Sequence, residues 1–257
     1  MKIIRSIIAA FALYSHIPMP RLKENDGDIT HVIPALPLVG VVIGAIEYGL
    51  FIASRYVNLP AFVRMVLFMI VPIAVTGGFH IDGFLDTEDA IKSYRDRERK
   101  LEIMKDPNVG SFAITGLITA GLFMAGSIYL ISDNSSCMIV FSLIFVISRV
   151  FTALTSIFIK KADEEDMLAV EVAGIRKTDV FILLMFLIAS VFVCCTVSIK
   201  YTFAVMLAFF VYTLIYAVKM IREFGGIVGD TAGYFVVVSE VFATCVLAVV
   251  YYVGKFI

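Results

Sequence analysis

Seven apolar stretches, each long enough or nearly so to cross a bilayer, constrain this chain more than any other feature of its sequence. They fall near residues 35–54, 61–79, 111–131, 137–159, 179–198, 201–218 and 231–254. A crossing helix needs about 20 predominantly apolar residues. The composition agrees: 60% of residues are hydrophobic and 17% charged, against about 45–50% and about 25% in a soluble domain. Mean hydropathy is +0.96. A soluble globule of 257 residues has nowhere to hide so much apolar surface. The expected fold is an all-α polytopic membrane protein, with about seven transmembrane helices in one integral-membrane domain over residues 1–257. This excludes a disordered chain, a disulfide scaffold and a cytosolic multidomain enzyme. A net charge of −1 provides no basic field for nucleic acid. Cys137, Cys194, Cys195 and Cys245 all lie in apolar runs with no CxxC or Cys/His spacing, and read as small membrane-buried residues.

Residues 1–17 differ from the spans. Ile3, Ile4, Ile7, Ile8, Phe11 and Tyr14 share one helical face, Lys2, Arg5 and Ser6 lie off it, and Pro18 and Pro20 stop the helix. Lys2 and Arg5 ahead of an apolar run also suit a signal peptide, but no small-residue cleavage site follows. An uncleaved interfacial or re-entrant helix is the expectation.

Basic residues set the orientation. With the amino terminus inside, the inside segments are 1–34, 80–110, 160–178 and 219–230. They carry Lys2, Arg5, Arg21 and Lys23, then Lys92, Arg95, Arg97, Arg99, Lys100 and Lys105, then Lys160, Lys161, Arg176 and Lys177, then Lys219 and Arg222. The outside ends hold only Arg55, Arg64, Lys200 and Lys255. The positive-inside rule favours this topology. The acids concentrate on the same side, so the polar face with room for chemistry is expected to be cytoplasmic, on the inner cell membrane.

At that face stands Gly77-Gly78-Phe79-His80-Ile81-Asp82-Gly83-Phe84-Leu85-Asp86-Thr87-Glu88-Asp89. Asp82, Asp86 and Asp89 are spaced i, i+4, i+7 and share one helical face; Glu88 lies off it. Three stacked carboxylates repel one another unless something positive sits between them. Hard oxygen ligands suit Mg²⁺, which binds one or two carboxylates together with substrate phosphates, and that points to phosphoryl chemistry. A solvated helix start also collects acids, so both readings stand at this point. The following stretch, Tyr94 to Lys105, is a candidate phosphate-binding segment or a salt-bridged surface helix, with Glu98/Glu102 and Arg95/Arg99 as i,i+4 neighbours. Asn108-Val109-Gly110-Ser111 reads as a turn and helix start whose N–H groups are free to meet a phosphate.

Further polar groups lie elsewhere. Arg149 sits within a span, where a charge is costly; it either snorkels or pairs with Glu47. Asp163-Glu164-Glu165-Asp166 reads as a solvated acidic run. Gly225-Gly226-Ile227-Val228-Gly229-Asp230-Thr231-Ala232-Gly233 is a glycine-rich loop at a span boundary. There Asp230 is either a second metal- or hydroxyl-binding carboxylate or, with Thr231 as the other candidate, a helix N-cap. Glu240 lies deeper in the last span.

Several blocks together resemble one family. They are Phe11-x-x-x-Ser15-x-Ile17-Pro18-Met19-Pro20, Pro37-Leu38-Val39-Gly40, the Gly77–Asp89 block, Arg97-x-Arg99-x-x-Glu102-Ile103-Met104-Lys105-Asp106-x-x-x-Gly110, and Gly229-Asp230-Thr231-x-Gly233. In this order, over nearly the whole chain, they resemble cobalamin synthase, the adenosylcobinamide-GDP ribazoletransferases. The resemblance implies a Mg²⁺-dependent reaction in which a hydroxyl of α-ribazole, or of its 5′-phosphate, attacks the corrinoid-side phosphorus of adenosylcobinamide-GDP. GMP leaves, and adenosylcobalamin or its phosphate forms. Carried over onto these motifs, Asp82 and Asp86 are expected at the metal. Asp89 is a metal ligand or the general base, with His80 its rival. Arg97, Arg99 and Lys105 are expected at phosphates, and Asp230 completes the site. Whether other corrinoid-assembly enzymes dock on the inside loops stays open. The chain departs from the family where it has Val237 in place of a frequent Glu, and its match across 160–178 is loose.

Two rivals remain. A CDP-alcohol phosphotransferase also begins its hallmark with Asp-Gly, but Leu85-Asp86 stands where that family has an Ala-Arg pair. An ion-coupled transporter would use Glu47, Arg149 and Glu240 as a path, yet the acids cluster at one surface and not at the midplane.

Overall fold

The computed structural model describes residues 2–20 and 32–256, with side chains from Ile4 onward. Arg21 and Lys23 of the inside set, and the side chains of Lys2 and Ile3, lie outside the described residues. Eleven α-helices are described: α1 Lys2–Tyr14, α2 Leu36–Tyr56, α3 Ala61–Thr76, α4 Phe79–Lys92, α5 Arg97–Ile103, α6 Ser111–Ile131, α7 Ser135–Phe158, α8 Met167–Ala173, α9 Lys177–Val197, α10 Ile199–Phe224 and α11 Gly229–Val253. Among the described residues there is no strand, only an isolated bridge between Lys161 and Ile227.

Six of the expected spans are single helices long and apolar enough to cross a membrane. The second, expected over 61–79, is not. Its helix ends at Thr76, the chain turns by 94°, and α4 begins at Phe79. The cause is local. Gly77 and Gly78 take φ of +64° and +84°, the left-handed region that only glycine enters without strain. Composition alone hides the break because Phe79 and Ile81 continue the apolar run. With 16 residues, α3 is about 24 Å long, and α4 leaves it at a right angle carrying the acids.

Helix α7 is the central element. Its Phe141, Phe145 and Val150 are 0% exposed, and α2 lies tightly along it. A β-carbon on Gly40 would run into the Phe145 carbonyl, and one on Gly44 into the Ser142 carbonyl. The Gly40/Gly44 spacing therefore serves close helix packing. On the periphery, Leu122, Phe123, Phe192 and Phe203 point outward and are more than half exposed, as lipid-facing side chains are. Two apolar clusters fill the interior. One runs through α1, α2, α3 and α7, and the other joins Phe84, Met104, Tyr216, Phe224 and Phe235 at the end carrying α4, α5 and α8. Phe151 and Leu187 pack against both.

At 13 residues, α1 is about 20 Å long, too short to span. It buries Ala10, Phe11 and Tyr14. The Tyr14 hydroxyl donates to Glu171 Oε2 at 2.6 Å, and the His16 N–H donates to the Val75 carbonyl at 2.8 Å. These contacts tie α1 to α8 and to the end of α3. At the opposite end the connections are short, and Asp133 pairs with Arg55 at 3.1 Å and with Arg64.

Arg149 is not paired with Glu47. Its guanidinium forms a buried ion pair with Glu240 of α11, whose carboxylate also accepts from Ser148 Oγ at 2.8 Å. Both Glu47 oxygens are buried with no hydrogen-bond partner among the described residues.

Candidate active site at the crossing of α4 and α11

The acids meet because two glycines let two helices touch. A β-carbon on Gly83 would stand 2.7 Å from the Asp230 carbonyl oxygen and 2.9 Å from its Cα. One on Gly233 would stand 3.2 Å from the His80 carbonyl oxygen. Backbone cannot yield as a flexible side chain does, so glycine at both positions permits the crossing. It brings Asp230, in the first turn of α11, into the field of Asp82 and Asp86.

Asp82 is exposed and Asp86 half-buried. Among the described residues, none donates a hydrogen bond to the carboxylates of Asp82, Asp86 or Asp230. Burial, and behind it the carboxylates of Asp230, Asp82 and Asp89, push the Asp86 carboxyl up to about 7. An uncompensated cluster of this kind has a proton or a cation as its natural occupant.

Asp89 stands apart from the other two aspartates of α4. Its carboxylate accepts the N–H of Ala113 at 2.9 Å and that of Gly110. It thus caps α6 at the turn expected to offer those N–H groups to a phosphate, and that expectation is corrected. The shared helical face of Asp82, Asp86 and Asp89 is real, but Asp89 has a local partner for its charge. His80 is 6% exposed, and its Nε2 has no hydrogen-bond partner among the described residues.

The basic residues separate likewise. The Arg97 guanidinium lies against Gly225, where a β-carbon would collide with it, at the turn that leads into Asp230. Arg99 pairs with Glu102 at 2.5 Å along its own helix, and Lys105 stands 3.6 Å from Asp163; both are surface pairs. Lys100 is buried against Glu223.

Three features escaped the sequence reading. Asp166, counted there with a solvated acidic run, accepts the N–H of Leu168 and of Gly229, each at 3.0 Å. It caps α8 and anchors the start of α11. Its place just before the apolar Met167-Leu168-Ala169 was the available signal. Backbone pairing clamps the glycine-rich loop: the Ile227 N–H donates to the Lys160 carbonyl at 2.9 Å, and the Ala162 N–H to the Ile227 carbonyl at 3.0 Å. A β-carbon on Gly226 would sit 2.5 Å from the Lys160 carbonyl oxygen. The third feature is Glu88. It pairs with Lys92 at 2.6 Å and is 8% exposed, while Lys219 reaches the Tyr234 hydroxyl at 3.3 Å. Neither N-cap candidate is the N-cap, which is Val228; Thr231, at the third helical position, reaches back, its Oγ1 accepting the Val228 N–H at 2.9 Å. Asp230 keeps its carboxylate for other work.

Among the described residues, no three His, Cys, Asp or Glu side chains converge closely enough to enclose a metal unaided. Asp82, Asp86 and Asp230 nevertheless fit Mg²⁺ in donor chemistry. They are hard oxygens without competing donors, and Mg²⁺ keeps several waters and takes one or two carboxylates plus phosphates.

Comparison with known proteins follows the same blocks. A sequence-family profile described as cobalamin-5-phosphate synthase matches residues 6–248. An adenosylcobinamide-GDP ribazoletransferase of Lachnoclostridium phytofermentans is 34% identical over 244 residues, covering 95% of this chain and 93% of the relative. One of Clostridium perfringens is 29% identical over 252 residues, covering 97% and 100%. One of Listeria monocytogenes serovar 1/2a is 26% identical over 233 residues, covering 89% and 91%. No solved structure matches. A profile running from within α1 to within α11, and relatives aligned over nearly their full lengths, make this chain a member of the cobalamin-5-phosphate synthase family.

Proposed function

We propose that the chain joins adenosylcobinamide-GDP to α-ribazole, or to α-ribazole 5′-phosphate, giving adenosylcobalamin or its 5′-phosphate and GMP. The observation that carries this reading is the gathering of Asp82, Asp86 and Asp230 at a polar end of a membrane bundle, in a chain of this family. A corrinoid is large and amphiphilic, and a site at the membrane surface suits it.

In this reading Asp82 and Asp230 hold Mg²⁺ beside Asp86. The metal supplies charge neutralisation for the diphosphate and orientation for the nucleophile. A ribose oxygen forms a bond to the corrinoid-side phosphorus, the bond from that phosphorus to the bridging oxygen breaks, and GMP departs. Asp86, whose proton affinity is raised by its neighbours, takes the hydroxyl proton. Arg97, packed on the Gly225 turn, is placed to meet the phosphates of the guanosine half. Asp89 and Asp166 position α6 and α11 without touching substrate. Arg99 and Lys105, each already in a surface pair, have no assigned phosphate. The polar end faces the cytoplasm, which the distribution of basic residues supports.

The test is GMP release by the purified protein in lipid, given adenosylcobinamide-GDP and α-ribazole with and without Mg²⁺, beside Asp82→Asn. Asp82 is exposed, so the variant is expected to fold. Metal-dependent GMP and a complete corrinoid from the wild type, with a loss of about 10²-fold or more in the variant, is the expected result. A folded wild type that releases no GMP overturns the reaction. Equal rates for wild type and Asp82→Asn keep the reaction and remove Asp82 from the site.

A further inference from the structure

Between α3, α4, α6, α7 and α11 lies a half-open cavity of about 270 Å³. Its wall is apolar, with Met69, Met124 and Val237 among the lining side chains, and His80, Arg149 and Glu240 supply the polar groups. Two of those groups are unfinished. Arg149 is 1% exposed and His80 6%, and neither Arg149 Nε nor His80 Nε2 has a hydrogen-bond partner among the described residues. The Arg149 Nη1 is engaged with Glu240, Ser148 Oγ and the Phe145 carbonyl. A guanidinium Nε–H is always a donor, and leaving it unanswered in an apolar cavity destabilises the fold. An acyl chain would fill the space but bring no acceptor.

We propose that this cavity seats the bicyclic, weakly basic aromatic ring of the ribazole substrate, the ring's free nitrogen accepting the Arg149 Nε–H while Met69, Met124 and Val237 pack its faces and edge. The proposal rests on the reaction given above and adds a site to it. A flat ring with one lone pair matches an apolar wall with one fixed donor. Methionine sulfur packs well against aromatic rings. The position fits too: His80 lines the cavity and lies six residues before Asp86 on the same helix. That is about 9 Å along the axis, so the cavity lies within about two helical turns of the acids. The seated ring thus points its sugar hydroxyl at the acids, and the cavity wall sets which ring sizes are accepted.

Steady-state kinetics of the wild type and Val237→Phe in lipid, with folding monitored by thermal melting, tests this. Filling the cavity is expected to raise KM for α-ribazole about tenfold or more and leave KM for adenosylcobinamide-GDP unchanged. An unaltered KM for α-ribazole, or a rise confined to the corrinoid substrate, overturns the proposal. An analogue with C–H in place of the ring's free nitrogen is expected to bind the wild type about tenfold more weakly; equal affinity removes the Arg149 contact. Should Val237→Phe not fold, wild-type protein photolabelled with an azido derivative of α-ribazole decides. Adducts on the α3, α6 and α11 segments carrying Met69, Met124 and Val237 support the cavity, and adducts confined elsewhere, or displaced only by lipid, overturn it. A wild type silent toward both substrates removes the reaction itself; an active wild type with an indifferent Val237→Phe removes only the cavity.

Discussion

The three aspartates of α4 differ in what surrounds them, and their pH behaviour follows. Asp86 carries a carboxyl pushed up to about 7 by burial and by Asp230, Asp82 and Asp89. As the proton acceptor it must be ionised, so the rate falls tenfold for each unit below the Asp86 pKa, and bound Mg²⁺ moves that limb below the value of about 7 set by the metal-free cluster. Asp89→Asn removes one of the three neighbouring charges and keeps an oxygen for one of the two α6 N–H groups. The acid limb then moves to lower pH with a smaller loss of stability than in Asp89→Ala, which lowers it by about 1 kcal/mol through the lost cap. A pH–rate profile alongside thermal melting checks both; an acid limb that stays in place in Asp89→Asn contradicts the coupling. The spacing of Asp82, Asp86 and Asp89 was legible because helix geometry is local. The role of Asp89 was not, because its partners lie 21 and 24 residues away. Asp166 reaches Gly229 across 63 residues and Arg149 reaches Glu240 across 91, and no periodicity reports such distances.

At the scale of helices, the six unbroken spans were readable from hydropathy because each satisfies its own backbone. The broken one was not, since two consecutive glycines with positive φ look like any other glycines until the turn is seen. The crossing of α4 on α11 depends on a pair of glycines 150 residues apart, one of which, Gly83, meets backbone that cannot move aside. Gly83→Ala is expected to push α4 away from α11, separate Asp86 from Asp230, and reduce turnover about 10²-fold while the protein still inserts and folds. Turnover of the folded variant is the measurement. Activity within twofold of wild type would mean that the spacing of these acids does not matter.

The whole molecule is lopsided. One end carries α4, α5, α8 and the glycine-rich loop; the other has tight turns held by Asp133 between Arg55 and Arg64. Charge asymmetry made this polarity legible from the chain alone, as did the family-like blocks that converge at one end. The half-open cavity was invisible, since its wall comes from helices scattered through the chain. The orientation yields a direct test in intact cells or sealed vesicles. A cysteine at Asn108 is expected to react with an impermeant thiol reagent only from the cytoplasmic side, and one at Asn58 only from the opposite side, each in a background lacking Cys195. The reverse pattern would place the acids outside.

The clamp between residues 160–162 and Gly226-Ile227 has a consequence for how such a protein can change over generations. Its hydrogen bonds run from backbone to backbone, and peptide groups are the same whatever side chains they carry. The strand-like segment from Lys160 to Ala162 is therefore free to drift in composition while still holding the loop that delivers Asp230. Gly226 is the exception, because any side chain there would strike the opposing carbonyl. The two sides of the clamp are thus unequal, tolerant at 160–162 and intolerant at Gly226, while Asp166, which holds the Gly229 N–H through its side chain, is not free to drift.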